Sequence, residues 1–524
     1  MEKKTIRELL PTLSQAARKL LLSPFKGDYS VSYPDRQQVD SDRDAENNKR
    51  TTPPDGEVID LCCIWAIEFY TPSHLDALLT GVQRFGWKQE GIRSQRDIQE
   101  WIDNSGKLLP GVRGSWLNLG SVSSSDSPFI GPSGTNDMTR RQAHPDALPP
   151  DHITEISGGL TSITSSLSCV IMCFVLDDDY AKKLDTILKT DRQTEYKVTP
   201  HFRSVLYPER QKVGDVKQAR HEIKATVTEW FSMNFPGLFS SGLLEGAMPT
   251  YEFVTLRDAE PFPSLKDSTS HFLRMLGLDF SDDVWTSKEI PGLKLSLQDW
   301  ADRSPQYHSI LSMKESSLSD EDLKEVWNRS GRHARILFVD DFLRERWLLQ
   351  ISALLFMLEG YGNHLRAIRD SAPLKPGSRG NSVTILDKLA SNVSFSIDID
   401  AVTSELQSFA EPESRVSLPL STFEPIEPQW YPEGYTLAES LCSAIAKRAS
   451  WIQKMDRSLR DHGMQYGALV GAMENVRLQG QIKFFTIALT ALTIVLLSES
   501  PGVQNVLKKL YGWLQSLSLN FMTF

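Results

Sequence analysis

The sequence predicts an α+β cytosolic domain, then a mostly α-helical region with a long C-terminal stalk helix entering a membrane segment. Three observations predict this class. Strand-like and helical runs mix through residues 57–320 without the regular alternation of a doubly wound parallel sheet. Beyond about residue 320 the pattern turns helical. From Gly434 to Pro501 no proline interrupts the chain, and the last part of that stretch, Phe484–Ser498 (FFTIALTALTIVLLS), carries no charge.

At 524 residues the chain exceeds what one core organises, and two or three structural units are expected. Hydrophobic residues at 40% and charged residues at 24% sit near the globular norm, so most of it should fold. A net charge of −10 and a pI near 5.6 exclude a general nucleic-acid binder, which needs a concentrated basic face. Cys62, Cys63, Cys169, Cys173 and Cys442 lie in apolar or helical runs without metal-ligand spacing, and Cys169 and Cys173 fall on one face of a strand. They are expected as buried thiols in a reducing compartment. The opening MEKKTIRELLPTLSQAARKLLL has neither a signal-length apolar core nor a small-residue cleavage site, so the N-terminal domain is expected in the cytosol.

The first unit, 1–56, reads as an amphipathic helix over 5–22 (Ile6, Leu9, Leu10, Leu13, Ala17, Leu20, Leu21) and a polar linker over 26–56. The second, 57–320, is the α+β domain. Val58–Tyr70 (VIDLCCIWAIEFY) is β-branched and aromatic, as a buried strand requires. Ser73 is placed to cap a following helix whose apolar face runs through Leu75, Leu78, Val82 and Phe85. A short helix is expected over Ser94–Asp103 and a surface excursion over 121–150. Ile153–Ile163 and Leu167–Leu176 read as a hairpin, and 178–189 and 214–232 as helices. Short strands are expected at Tyr251–Leu256, Leu293–Leu297 and His308–Met313. The third unit, 321–434, holds one long helix over Ala334–Ser371, shorter helices to about Phe409, and breaks rich in proline at 372–382 and 410–434.

The stalk, 435–483, carries the most informative pattern. Ile452, Met455, Leu459, His462, Tyr466, Leu469, Met473 and Val476 alternate in steps of three and four, the spacing of a coiled-coil seam. That seam either packs on the chain's own helix at 334–371 or pairs copies of the chain into a homo-oligomer. Gly463, Gly467 and Gly471 recur on an adjoining face and point to close packing or a flexible point. The membrane segment, 484–498, presents Phe484, Phe485, Ile487, Leu489, Leu492, Ile494, Val495, Leu496 and Leu497. Its fifteen residues span ~22 Å against a hydrocarbon core of ~30 Å, and Gly480–Ile482 extend it, with Lys483 reaching for the headgroups. The tail, 499–524, is amphipathic, with Lys508, Lys509, Tyr511 and Trp513 suited to a membrane interface, and it either lies on the membrane surface or forms a weak second crossing.

Asn475–Thr490 (NVRLQGQIKFFTIALT), at the end of a long stalk beneath an α+β domain, resembles the stalk-to-membrane junction of CorA-type divalent-cation channels. The resemblance covers about residues 435–500. It implies an oligomeric ring of stalk helices. Where that family closes its first membrane helix with Gly-Met-Asn, this chain reads SPGVQ at Ser500–Gln504, so the resemblance assigns neither pore nor metal residues.

Elsewhere the chemistry-bearing residues have ordinary explanations. Asp177–Asp179, Asp282–Asp283 and Asp340–Asp341 could each bind a cation through carboxylate oxygens but lack EF-hand spacing, and an exposed helix N-terminus explains the first at least as well. His221–Glu222 lacks a second histidine, and Walker, nucleophile-elbow and dinucleotide fingerprints are missing. Arg329, Arg332, His333 and Arg335 read as the solvated start of a helix or as a phosphate contact, and Trp230–Phe239 as core beside a turn. The expectation is thus a non-enzymatic protein without cofactor, in the cell membrane by a single pass near the C-terminus. Its cytosolic domain would act as a sensor, effector or scaffold for an unidentified ligand. The alternatives are a degenerate CorA-like cation transporter and a membrane-tethered enzyme.

Overall fold

The computed structural model describes residues 33–85, 116–123, 145–199, 202–242, 248–263, 270–279, 284–297, 308–327, 330–345, 347–371, 398–411, 422–427, 431–499 and, except 503 and 507, 502–513, with single positions 100, 104 and 244. The expected helix over 5–22 and nearly all of Ser94–Asp103 lie outside them. In chain order the elements are α1 (Tyr33–Thr51), β1 (Ile59–Tyr70), α2 (Leu75–Arg84), β2 (Trp116–Ser123), β3 (Ile153–Thr164), β4 (Leu167–Leu176), α3 (Asp178–Ala181) and α4 (Lys183–Lys189). Then come β5 (Glu195–Thr199), β6 (Phe202–Leu206), α5 (Pro208–Asn234), β7 (Thr250–Leu256), α6 (His271–Leu276), β8 (Val284–Ser287), β9 (Lys294–Leu297) and β10 (His308–Lys314). The helical part follows with α7 (Asp320–Trp327), α8 (Gly331–Glu345), α9 (Leu348–Ser371), α10 (398–409), the short β11 (Phe423–Pro425) and α11 (Leu437–Glu499).

Nine strands form one sheet in the order β11-β8-β9-β10-β7-β1-β4-β3-β2, with β5 and β6 as a separate hairpin. Pairing is antiparallel throughout the described strands except between β7 and β10, which run parallel. This is the mixed, irregularly connected sheet the sequence predicts. Every residue of β1 but Asp60 is buried, because helices cover both sheet faces, and a strand covered on both sides reads as a continuous apolar run. On one face the Trp65 indole donates to Asp340 Oδ1 of α8 at 2.7 Å, and the Tyr251 hydroxyl meets Leu349 O (3.1 Å) and Ser352 Oγ (2.5 Å) of α9. On the other lies α5, whose stripe Val216, Ala219, Ile223, Val227, Trp230 and Phe231 is buried. Trp230 and Phe231 join Phe85, Phe174 and Phe235 in one aromatic cluster, so the aromatic residues of Trp230–Phe239 are core, while Ser232 and Met233 face out.

Four expectations need correction. The polar stretch 26–56 contains α1 instead of a linker: Asp44 accepts from Thr194 N (2.6 Å) and Oγ1 (2.5 Å), and Asn48 exchanges hydrogen bonds with the Arg192 backbone (2.7 and 3.0 Å). A helix held by such side-chain bonds shows no apolar stripe. Ser73 does not cap α2. Pro72–His74 form a 3-10 turn, His74 takes the cap position, and Ser73 Oγ donates to Asp398. Ala334–Ser371 is two helices, α8 and α9, parted at Trp347, whose φ of +55° ends helical hydrogen bonding while its indole is buried. Finally, the 410–434 break supplies β11, an edge strand on β8 whose Pro425 is tolerated at the sheet margin. After Gly434, at φ +77°, α11 runs 63 residues, ~95 Å, as the missing prolines predicted.

Candidate functional site

The strongest concentration of charge lies beneath α5. Arg220 donates through Nε to Glu252 Oε2 (2.9 Å), through Nη2 to Glu252 Oε1, and through Nη2 to Leu276 O (2.8 Å). His308 Nε2 lies 3.0 Å from Glu252 Oε2 and its Nδ1 2.9 Å from Thr250 Oγ1. Strand geometry creates the cluster: parallel pairing sets His308 beside Thr250, and alternation returns Glu252 to the same face. Burial raises the Glu252 carboxyl, but Arg220 and His308 outweigh it and bring it down to about 2. Burial also lowers His308, with Glu252 acting against it, so the imidazole is neutral at pH 7 and Arg220 is the counter-charge. Farther along α5, burial pushes Lys224 down to about 7. Both carboxylate oxygens and both imidazole nitrogens are engaged, so the cluster fastens α5 to β7 and β10. Sequence reading passed over it. The one signal was a charged residue at the centre of the strand Thr250–Leu256.

Glu68, also wholly buried, accepts from Phe69 N (3.0 Å) and Phe239 N (2.8 Å) through Oε1 and from Ser240 N (2.7 Å) through Oε2. Burial raises it to about 7 despite these bonds. Gly237 crosses so close that an added Cβ would sit 2.4 Å from Glu68 Cγ. The carboxylate thus shapes the turn after α5.

The motif candidates resolve into internal contacts. Asp177 caps α3 by accepting from Tyr180 N at 2.6 Å, the helix-terminus reading. Arg332 and Arg335 turn inward to protein partners instead of into solvent. Arg332 binds Asp178 Oδ1 (2.9 Å) and the carbonyls of Cys62 (3.0 Å) and Leu176 (2.8 Å), and Arg335 binds Glu315 Oε1 (2.5 Å). Asp282, Asp283 and Arg329 lie outside the described residues. The five cysteines are buried free thiols. Among the described residues no group of three or more His, Cys, Asp or Glu is arranged to hold a metal ion.

At the junction of head and stalk, α10 uses two faces. Asp398 accepts from Thr71 Oγ1 (2.6 Å) and from Ser73 Oγ, while Glu405, two turns on, accepts from Ser165 Oγ, Ser166 Oγ (2.9 Å) and Ser166 N (2.9 Å). On the other side Asp400 meets Arg460 Nη2 (3.4 Å) and Gln453 Nε2 (3.4 Å), and Gln407 meets Gln453 (3.3 Å). Arg448 pairs with Glu359, and Arg366 lies over the Trp451 ring, tying α9 to α11. Replacing Asp398 and Glu405 together by alanine should free α10 without unfolding the sheet. Hydrogen exchange should quicken over 398–409 and 450–460 by a local loss of roughly 1.5–3 kcal/mol, the worth of bonds to charged groups. Unchanged exchange there refutes the strap.

The seam divides. Ile452 is buried, and Met455 and Leu459 pack against the head core. His462 is exposed, with Nδ1 2.6 Å from Ser458 O of its own helix, and Val476 is 69% exposed. The side chains of Tyr466, Leu469 and Met473 lie outside the description. Farther on, Phe484, Phe485, Ile487, Leu489 and Leu492 are each 61–69% exposed, and Val495 is exposed too. The side chains of Ile494, Leu496 and Leu497 lie outside the description. Among the described residues, no helix is long and apolar enough to cross a membrane.

No protein-family model, curated protein or solved structure matches the chain. The functional reading therefore rests on the chain's own physical chemistry.

Proposed function

We propose that this protein is a membrane-anchored cytosolic effector or scaffold, its α+β head strapped to a stalk whose far end seats in a lipid bilayer. The observation behind this reading is the succession Phe484, Phe485, Ile487, Leu489 and Leu492, every member more than 60% exposed in the single chain. Burying each such side chain is worth roughly 1.5–3 kcal/mol, and a run of this kind in water favours aggregation. The polar groups of the segment also suit an apolar medium. Thr486, Thr490 and Thr493 hydroxyls donate to the carbonyls of Ile482 (2.8 Å), Thr486 (2.7 Å) and Leu489 (2.7 Å), so the helix satisfies its own hydroxyls. Self-association along the seam beyond Leu459 is compatible with the same anchor.

The test is fractionation. The full chain should pellet with membranes and require detergent for extraction, while a chain ending before Gly480 should remain in the aqueous fraction. Aqueous behaviour of both would overturn the proposal. Divalent-cation flux through liposomes bearing the full chain would replace it with the transporter reading.

A further inference from the structure

The C-terminal end of the chain is net basic although the chain as a whole is acidic. Residues 475–524 hold Arg477, Lys483, Lys508 and Lys509 against Glu499 alone, a net +3, so the 474 residues before them bear −13 of the total −10. An acidic head is repelled by an anionic surface, and the net positive charge of the C-terminal segment offsets this where that segment would meet the bilayer. Beyond α11, residues 504–506 and 508–513 are helical, and Val506, Leu510 and Trp513 follow at intervals of four and three along one face. All three are at least half exposed, as is Tyr511, and Lys508 and Lys509 stand exposed beside them. An apolar stripe with Lys509 at its margin and Lys508 on the polar face opposite is the composition of a helix lying in the headgroup layer.

Resting on the membrane reading above, we propose that this end of the chain selects anionic lipid, with Lys508 and Lys509 as its headgroup contacts. The long stalk holds the head well beyond the ~8 Å Debye length of physiological salt, so its repulsion is screened while the lysines act at contact range.

Flotation of the purified full chain with phosphatidylcholine vesicles, and with vesicles containing phosphatidylserine as well, tests this. The wild-type chain should bind both, with the anionic vesicles bound more tightly and the gain lost at high salt. Lys508→Gln with Lys509→Gln should weaken binding to the anionic vesicles by about 30-fold, at roughly 1 kcal/mol per lysine, and leave neutral vesicles unaffected. Excess inorganic phosphate should not compete. Equal binding to both vesicles, or an unchanged double variant, overturns the lipid selectivity and leaves the anchor standing. Displacement by phosphate overturns it in favour of a free-anion site. Failure to bind either vesicle overturns the anchor itself.

Discussion

Arg220→Ala is expected to destabilise the head by about 3–5 kcal/mol, because it leaves Glu252 buried without its counter-charge. His308 is only a partial substitute, since burial works against its protonated form although Glu252 favours it. Chemical denaturation of the full chain in detergent measures the loss. Arg220→Met with Glu252→Leu should recover most of it, because removing both charges removes the stranded one. The pH dependence has a definite sign. The Glu252 carboxyl is held near 2 in the fold against 4.5 ordinarily, so its stabilisation is complete above pH 4.5 and is lost as pH falls towards 2. On the order of 3 kcal/mol should vanish over that window in the wild type, and the slope should be smaller in Arg220→Ala, where His308 alone remains to favour the carboxylate. An Arg220→Ala protein of wild-type stability would sink the lock.

Glu68→Ala should cost about 2–4 kcal/mol by leaving the Phe69, Phe239 and Ser240 amides without their acceptor. Here the pH effect runs the other way. With its carboxyl raised to about 7, Glu68 contributes most below pH 4.5, and that contribution fades as pH rises from 4.5 to 7. Glu68→Gln cannot ionise and should abolish this fade, while setting an amide NH2 against one of the three donors. Denaturation midpoints at pH 5 and pH 8 separate the cases: the wild type loses stability between them, and the glutamine variant does not. A glutamine variant with the wild-type loss would assign the titration to another group.

How much of this was legible depended on whether hydropathy carried it. Ile59–Tyr70, the β3–β4 hairpin and the 63-residue α11 follow from apolar runs, turn spacing and missing prolines, and each lies where the sequence places it. The features that escaped are held by particular partners. Helix α1 depends on Asp44 and Asn48 reaching a segment about 150 residues away, and local composition cannot show this. The break at Trp347 is paid for by burying an indole, not marked by glycine or proline. The Arg220–Glu252–His308 cluster joins three separate elements, and only the sheet register reveals that they meet. At the stalk the three-and-four spacing marked the seam, but it could not say that Ile452 packs inward while Val476 faces out.

The central strand has a consequence for how the molecule assembles. Ile59 of β1 pairs with Leu256 of β7, 197 positions later, and β7 in turn needs β10, which starts at His308. Closing so long a loop is slow, because chain entropy is lost before the contacts that reward it are made. During synthesis at ~5–20 residues per second, β1 and β4 can pair early, yet one edge of β1 stays open until β7 is made. Acquisition of the native head is therefore expected to be slow and chaperone-sensitive, with the interval before β7 arrives as its most vulnerable period.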